Sequence, residues 1–176
     1  MPPIEPSRYA DGVAKLLAGI RRWHRFTDAD VSIPSQWQEF QRLVPLSGQI
    51  GAAAYGVVCA SEPERQRFEY LCACEVGDFA ALPPDLGRLR LPAQHYAVFT
   101  HRGHVTGLRG TWDAIWHDWL PRSGRRPANT PDFELYDAGF DARSGSGVIE
   151  IWFPLAAPGA EEWTHGAPGP GRPDPR

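Results

Sequence analysis

Phe133-Glu134-Leu135-Tyr136 and, beyond a loop holding Ser144-Gly145-Ser146-Gly147, Ile149-Glu150-Ile151-Trp152-Phe153 read as the two strands of a hairpin. Successive side chains of a strand point to opposite faces. Phe133 and Leu135 therefore share one face, and Glu134 and Tyr136 the other. In the second strand Ile149, Ile151 and Phe153 share a face opposite Glu150 and Trp152. The apolar faces are expected beneath a helix. The opposite faces then carry two carboxylates, a Tyr and a Trp. A surface that merely met water would not favour such aromatics, so a concave, half-buried surface is expected there.

The covering helix lies just upstream. Leu108, Trp112, Ile115, Trp116 and Trp119 fall on one helical face, which predicts a helix over 107–120, capped by Thr106 and ended by Pro121. A weaker helix is expected from Ile33 to Val44, with Trp37, Phe40 and Val44 as its stripe, Ser32 as cap and Pro34 in its first turn. The remaining signals are strands at Val13–Phe26, Ala52–Ala60, Phe68–Val76, His95–His101, Asp132–Asp137 and Val148–Pro154. The order is strand, helix, strand, strand, and then the same again. This is an α+β chain with an antiparallel sheet and an internal repeat, about 12–77 and about 92–156. Asp78–Leu91, with two adjacent prolines, is read as the link. Residues 1–11 are expected to be loose. The Pro- and Gly-rich tail, 157–176, is expected to be disordered, which discounts Trp163 and His165 as site residues.

Composition narrows the function. The chain has 176 residues, 42% of them hydrophobic, enough to bury one core. Eighteen Lys and Arg against 21 Asp and Glu leave a net charge of -3, so no basic footprint points to nucleic acid. The longest apolar runs are too short or too interrupted to cross a bilayer, and the N-terminus carries no secretion pattern. The expected location is the cytoplasm. Cys59, Cys72 and Cys74 are read as buried reduced thiols, and the histidines of His101-Arg102-Gly103-His104 as structural. No metal and no cofactor are expected.

Several segments together resemble one family. Tyr96-Ala97-Val98-Phe99-Thr100-His101-Arg102-Gly103, Trp116-His117-Asp118-Trp119-Leu120-Pro121, Phe133-Glu134-Leu135-Tyr136 and Glu150-Ile151-Trp152-Phe153-Pro154 occur in the order seen in the GyrI-like small-molecule-binding domain. This is the effector-binding domain of AraC-type and MerR-type transcription regulators. In the first half, Ile33-Pro34-Ser35-Gln36-Trp37-Gln38-Glu39-Phe40, Tyr55-Gly56-Val57 and Phe68-Glu69-Tyr70 are similar to that family's first repeat. The likeness covers about residues 12–155. It implies a pseudo-twofold pair of strand–helix–strand–strand modules with a ligand cavity between the repeats, on the sheet side away from the helices. It also implies a buried acid that meets cationic or lipophilic aromatic ligands. By position that acid is Glu134. Glu150 is the second candidate, with Trp152, Tyr136, Tyr70 and Trp37 as candidate walls.

The expected partner is therefore a small amphipathic, cationic molecule, bound by a stand-alone multidrug-type domain acting in sensing or sequestration. Direct DNA contact is not expected, because no helix-turn-helix pattern flanks the folded region, and a regulator role would need a partner chain. The plainer reading makes Glu134 and Glu150 solvated strand residues and the tryptophans core. The resemblance favours the pocket for Glu134. Glu150, Trp23 and His24 stay open, while Trp112, Trp116 and Trp119 are assigned to the core. Two other functions stay open. One is hydrolysis of cyclopropane-bearing DNA-alkylating compounds, with Glu134 as the acid. The other is interaction with gyrase, as the family's name suggests.

Overall fold

The computed structural model describes residues 3–158. Its elements are β1 (Arg8–Gly12), β2 (Lys15–Arg25), α1 (Ala29–Gln41), β3 (Gln49–Glu62), β4 (Arg67–Val76), β5 (Gly87–Leu91), β6 (Gln94–His104), α2 (Leu108–Ala114), α3 (Leu120–Ser123), β7 (Phe133–Asp141) and β8 (Ser146–Pro154). All eight strands join one sheet in the order β1-β6-β8-β7-β3-β4-β2-β5, with every pairing antiparallel. Outward from the central β3–β7 pair the order is symmetric: β4 matches β8, β2 matches β6, and β5 matches β1. That is the expected pair of repeats, joined across a pseudo-twofold axis.

Two strands are additions to the expected modules. Residues 8–11, expected to be loose, and Gly12, expected to open the first repeat, form β1 on the edge of β6. The expected link contains β5, which pairs with β2. Each added strand precedes its own repeat by two residues and pairs with the other repeat, a reciprocal exchange. Val13 and Ala14 separate β1 from β2, and Pro92 and Ala93 separate β5 from β6, although each pair spans nearly the whole sheet order. Two residues cannot bridge a flat sheet of this width. The sheet therefore curls into a half-barrel until its ends approach.

The curl gives the sheet an inside and an outside. Ala10, Leu17, Tyr55, Val57, Leu71, Leu91, Tyr96, Val98, Phe133 and Trp152 come from all eight strands and pack as a single cluster, which only the inner face can assemble. The helices lie outside. α1 covers β2 and β4 with Trp37 and Phe40. Its buried Gln36 donates to the carbonyls of Ile20 and Tyr70 at 2.7 and 3.0 Å, pinning the helix to both strands. The second helical segment lays Trp116 and Trp119 on Phe153 and Phe99 at 4.6 and 4.9 Å.

Both helices differ in detail from expectation. α1 begins at Ala29, not Ile33, and Ser32 sits within its first turn, donating to the Asp28 carbonyl at 2.9 Å. Pro34 is then interior. Pro121 does not end the second segment. Between α2 and α3 the residues Ile115–Trp119 widen into a π-helical turn, and the Leu120 N–H reaches back to Ile115. The chain continues past Pro121 to Gly124, which takes the left-handed conformation at φ 65°. The expected disordered tail, with Trp163 and His165, lies outside the described residues apart from its first two positions.

The β1 exchange makes a direct prediction. The Ser7 N–H donates to the Val98 carbonyl at 2.8 Å, at the head of the β1–β6 ladder. Amide exchange of Ser7 measured by NMR should be slowed well below the rate of an open chain. Exchange at the open-chain rate would contradict the added strand.

Candidate functional site

Register decides which residues of neighbouring strands share a face. Across the β7–β8 pair, Phe133 stands opposite Trp152, Glu134 opposite Ile151, and Leu135 opposite Glu150. Directly opposed residues point to the same side. Glu134 and Tyr136 thus lie with Ile149 and Ile151 on the outer, helix-covered face. Phe133 and Leu135 lie with Glu150 and Trp152 inside. The alternation within each strand is as expected. The expectation that Glu134 and Glu150 share a face away from the helices is overturned, because the register between the strands is offset by one residue.

On the outer face Glu134 sits in a row running from Cys72 on β4 through Gly56 on β3 to Glu134 on β7 and Ile151 on β8. Tyr70 leans diagonally over Gly56 and donates its hydroxyl to Glu134 Oε2 at 2.9 Å. Tyr136, on the same strand, donates to the same oxygen at 2.8 Å. From α2, Trp112 Nε1 donates to Oε1 at 2.9 Å. Trp37 of α1 meets the Tyr136 ring edge-on at 5.1 Å. Each repeat thus supplies a strand and a helix to the cluster around one half-buried carboxylate, the first repeat's helix through the Tyr136 ring. Gly56 makes the arrangement sterically feasible: a Cβ there would lie 2.0 Å from Tyr70 Oη and 2.8 Å from Glu134 Oε2.

The electrostatics are those of an acid without a cation. Among the described residues Glu134 forms no ion pair, and its hydrogen-bond partners are neutral. Burial pushes its pKa above the usual carboxylate value. The Trp112, Tyr136 and Tyr70 hydrogen bonds and the nearby His101 pull it back only in part. Burial and the facing Glu134 charge in turn hold the Tyr70 and Tyr136 hydroxyls protonated, well above their ordinary value. His101 is itself tied to the helix by Thr111 Oγ1 at 2.7 Å.

Of the residues singled out in the sequence, Glu134, Tyr136, Tyr70 and Trp37 come together. Glu150 and Trp152 do not join them. Glu150 is gripped by both terminal nitrogens of Arg8 at 2.6 and 2.9 Å and accepts from Trp152 Nε1 at 3.0 Å. Arg8 holds its pKa below the usual range. That acid already has its counter-charge. Trp112, assigned to the core by its helical stripe, is the residue that sequence reasoning missed. A half-buried indole N–H needs an acceptor, and Glu134 was the candidate acid in view. His24, left open, bridges Ser32 and Gln36 at 2.6 and 2.5 Å, a packing role under α1. Trp23 is 40% exposed, with the Arg67 guanidinium over its ring at 4.4 Å. The three cysteines are free and buried.

Residues 14–156 match the profile of the GyrI-like small molecule binding domain, and the chain belongs to that family. The transcriptional regulator BrlR of Pseudomonas aeruginosa is 33% identical over 124 residues, which are 67% of this chain and 45% of the regulator. The chain thus spans about half the length of that relative. Among solved structures, SAV2435 bound to tetraphenylphosphonium superposes with a TM-score of 0.68 at 22% identity, covering 85% of this chain and 93% of that one. The C-terminal domain of EcmrR gives a TM-score of 0.61 at 18% identity, covering 85% and 96%. These two likenesses extend to the fold, including the curled eight-stranded sheet. No helix among the described residues is long and apolar enough to cross a membrane.

An acid with a raised folded-state pKa binds its proton more tightly folded than unfolded. Stability therefore falls as pH rises from the ordinary value of 4.5 through the folded value, and the loss is constant above it. The stability of Glu134→Gln relative to wild type, from urea melts across pH, should rise over that window. A difference that stays flat or falls would contradict the unpaired acid. Gly56→Ala should lose about 1–3 kcal/mol in the same assay by driving Tyr70 off Glu134. An unchanged midpoint would show that the close approach is not needed.

Proposed function

We propose that this domain binds lipophilic aromatic cations on the outer face of the sheet, between α1 and α2, with Glu134 as the counter-charge. Tyr70, Tyr136, Trp37 and Trp112 would be the walls. The observation that carries the reading is a half-buried carboxylate with three neutral hydrogen-bond donors and no cation among the described residues. Such a group is under-compensated, and a bound cation supplies what the protein leaves out. Aromatic faces add about 0.5–2 kcal/mol each by cation–π attraction. They ask for flatness and charge more than for one shape, so a broad ligand range follows, with affinities near micromolar, about -8 kcal/mol.

Tetraphenylphosphonium, present in the SAV2435 structure, is the natural first probe. The likeness to a transcriptional regulator suggests that ligand recognition here serves sensing in the cytoplasm, with DNA contact supplied from outside the described residues. Sequestration would use the same site.

The test is calorimetric titration with tetraphenylphosphonium and with neutral triphenylphosphine oxide, on wild type and Glu134→Gln. The cation should bind wild type and lose about tenfold or more in the variant, a change of about 1.4 kcal/mol. The neutral compound should bind both alike. Cation affinity in wild type should also weaken as pH falls through the raised Glu134 value, because a proton competes for the same carboxylate. Equal cation affinity in the two proteins, or none in either, would overturn the reading.

A further inference from the structure

A carboxylate offers about four lone-pair positions to donors, two on each oxygen. At Glu134 they are unequally used. Among the described residues, Oε2 accepts from Tyr70 at 2.9 Å and from Tyr136 at 2.8 Å, so both of its positions are taken. Oε1 accepts from Trp112 at 2.9 Å, which leaves it one open position. The two donors on Oε2 are held in place. Tyr70 is 4% exposed and leans over Gly56, where a Cβ would stand 2.0 Å from its hydroxyl. Its ring meets His24 edge-on at 6.4 Å. Tyr136 meets Trp37 and Phe140 edge-on at 5.1 and 5.0 Å. Swinging either hydroxyl off the acid would break this ring packing and leave a buried donor without its acceptor.

This occupancy sorts cations by the donors they carry. A guanidinium or amidinium grips a carboxylate through two parallel N–H groups, one to each oxygen. Oε2 has no position for the second. A primary ammonium brings three N–H groups to one open acceptor. The donors left over would be buried against the rings of Trp37, Trp112 and Tyr136, at a cost for each one left unpaired. A quaternary ammonium or phosphonium has no N–H to satisfy. A tertiary ammonium has one, which matches the open position on Oε1. Each of these still supplies the full charge that Glu134 lacks.

We propose that Tyr70 and Tyr136, by filling Oε2, restrict the outer site to cations with at most one N–H donor and turn away guanidinium, amidinium and primary ammonium ligands. This selectivity rests on Glu134 being the counter-charge of a bound cation, and it adds which cations that carboxylate accepts. The two tyrosines thereby do more than wall the site. Their hydroxyls occupy the acceptor positions that a donor-rich ligand needs.

The test compares three cations built on one naphthylmethyl body: trimethylammonium, dimethylammonium and guanidinium. Each is titrated by calorimetry at neutral pH into wild type, Tyr136→Phe, Tyr70→Phe and Glu134→Gln. All three carry a single positive charge there, so any change in the ionisation of Glu134 weakens them alike and cancels in their ratio. Wild type should bind the trimethylammonium and dimethylammonium compounds about tenfold or more tighter than the guanidinium. Tyr136→Phe keeps the ring and frees one position on Oε2, so that ratio should fall about threefold or more. Tyr70→Phe should act in the same direction, and it decides the matter if Tyr136→Phe does not fold. Guanidinium affinity in wild type within about twofold of trimethylammonium would overturn the proposal. A wild-type ratio that persists in the folded Phe variants would also overturn it, because size or hydration would then be the cause. Both results leave Glu134 standing as the counter-charge. No binding of any of the three to wild type, or binding unchanged in Glu134→Gln, would overturn that reading and this one with it.

Discussion

The Glu134 carboxylate draws its support from both repeats, and the outer face is arranged around that fact. Tyr70 comes from the first repeat, Tyr136 and Trp112 from the second, and the ring of Trp37 closes on Tyr136 from α1. None of these side chains brings a positive charge. Neutral donors can orient a carboxylate and keep it from water, but they do not replace the hydration that burial removes. The site is electrostatically incomplete by construction. Its incompleteness is affordable because the surrounding sheet is over-determined: eight strands, two exchanged edges, and a helix docked over each half.

The same curl that brings the repeats together divides the molecule into two chemistries. Outside, an acid sits among aromatic donors beneath the helices. Inside, rings and aliphatic side chains from all eight strands pack on one another. Adjacent residues of one strand serve the two faces, Glu134 outward and Phe133 and Leu135 inward. Glu150 and Trp152 show how far context governs function. They resemble the outer pair in sequence, yet Arg8 from the exchanged β1 neutralises Glu150, and Trp152 turns its ring toward the inner aromatics.

Much of this was legible in the sequence, for identifiable reasons. The Trp112–Trp119 stripe and the alternation in Phe133–Tyr136 are strong periodic signals, and the repeated element order exposes the pseudo-symmetry. Glu134 stood out as an acid within such a strand and at the matching position of the family. Register was not legible. Alternation states which residues of one strand share a face, but pairing between strands decides which faces coincide, and an offset of one residue moved Glu134 beneath the helices. β1 and β5 were hidden because five-residue edge strands such as Arg8–Gly12 carry little alternation, and the prolines before Gly87 mask the second. Trp112 was hidden for another reason. A helical stripe shows which way an indole faces and not what its N–H will find there.

The central claim is that Glu134 is a carboxylate lacking its counter-charge, and a direct measurement is its own titration. With glutamate labelled at the side-chain carbonyl carbon, and Glu134 assigned by comparison with Glu134→Gln, its chemical shift can be followed across pH with and without saturating tetraphenylphosphonium. The account predicts a midpoint above the ordinary 4.5 in the free protein, moving down when the cation is bound. A midpoint at or below the ordinary value, or one that the cation leaves in place, would contradict it.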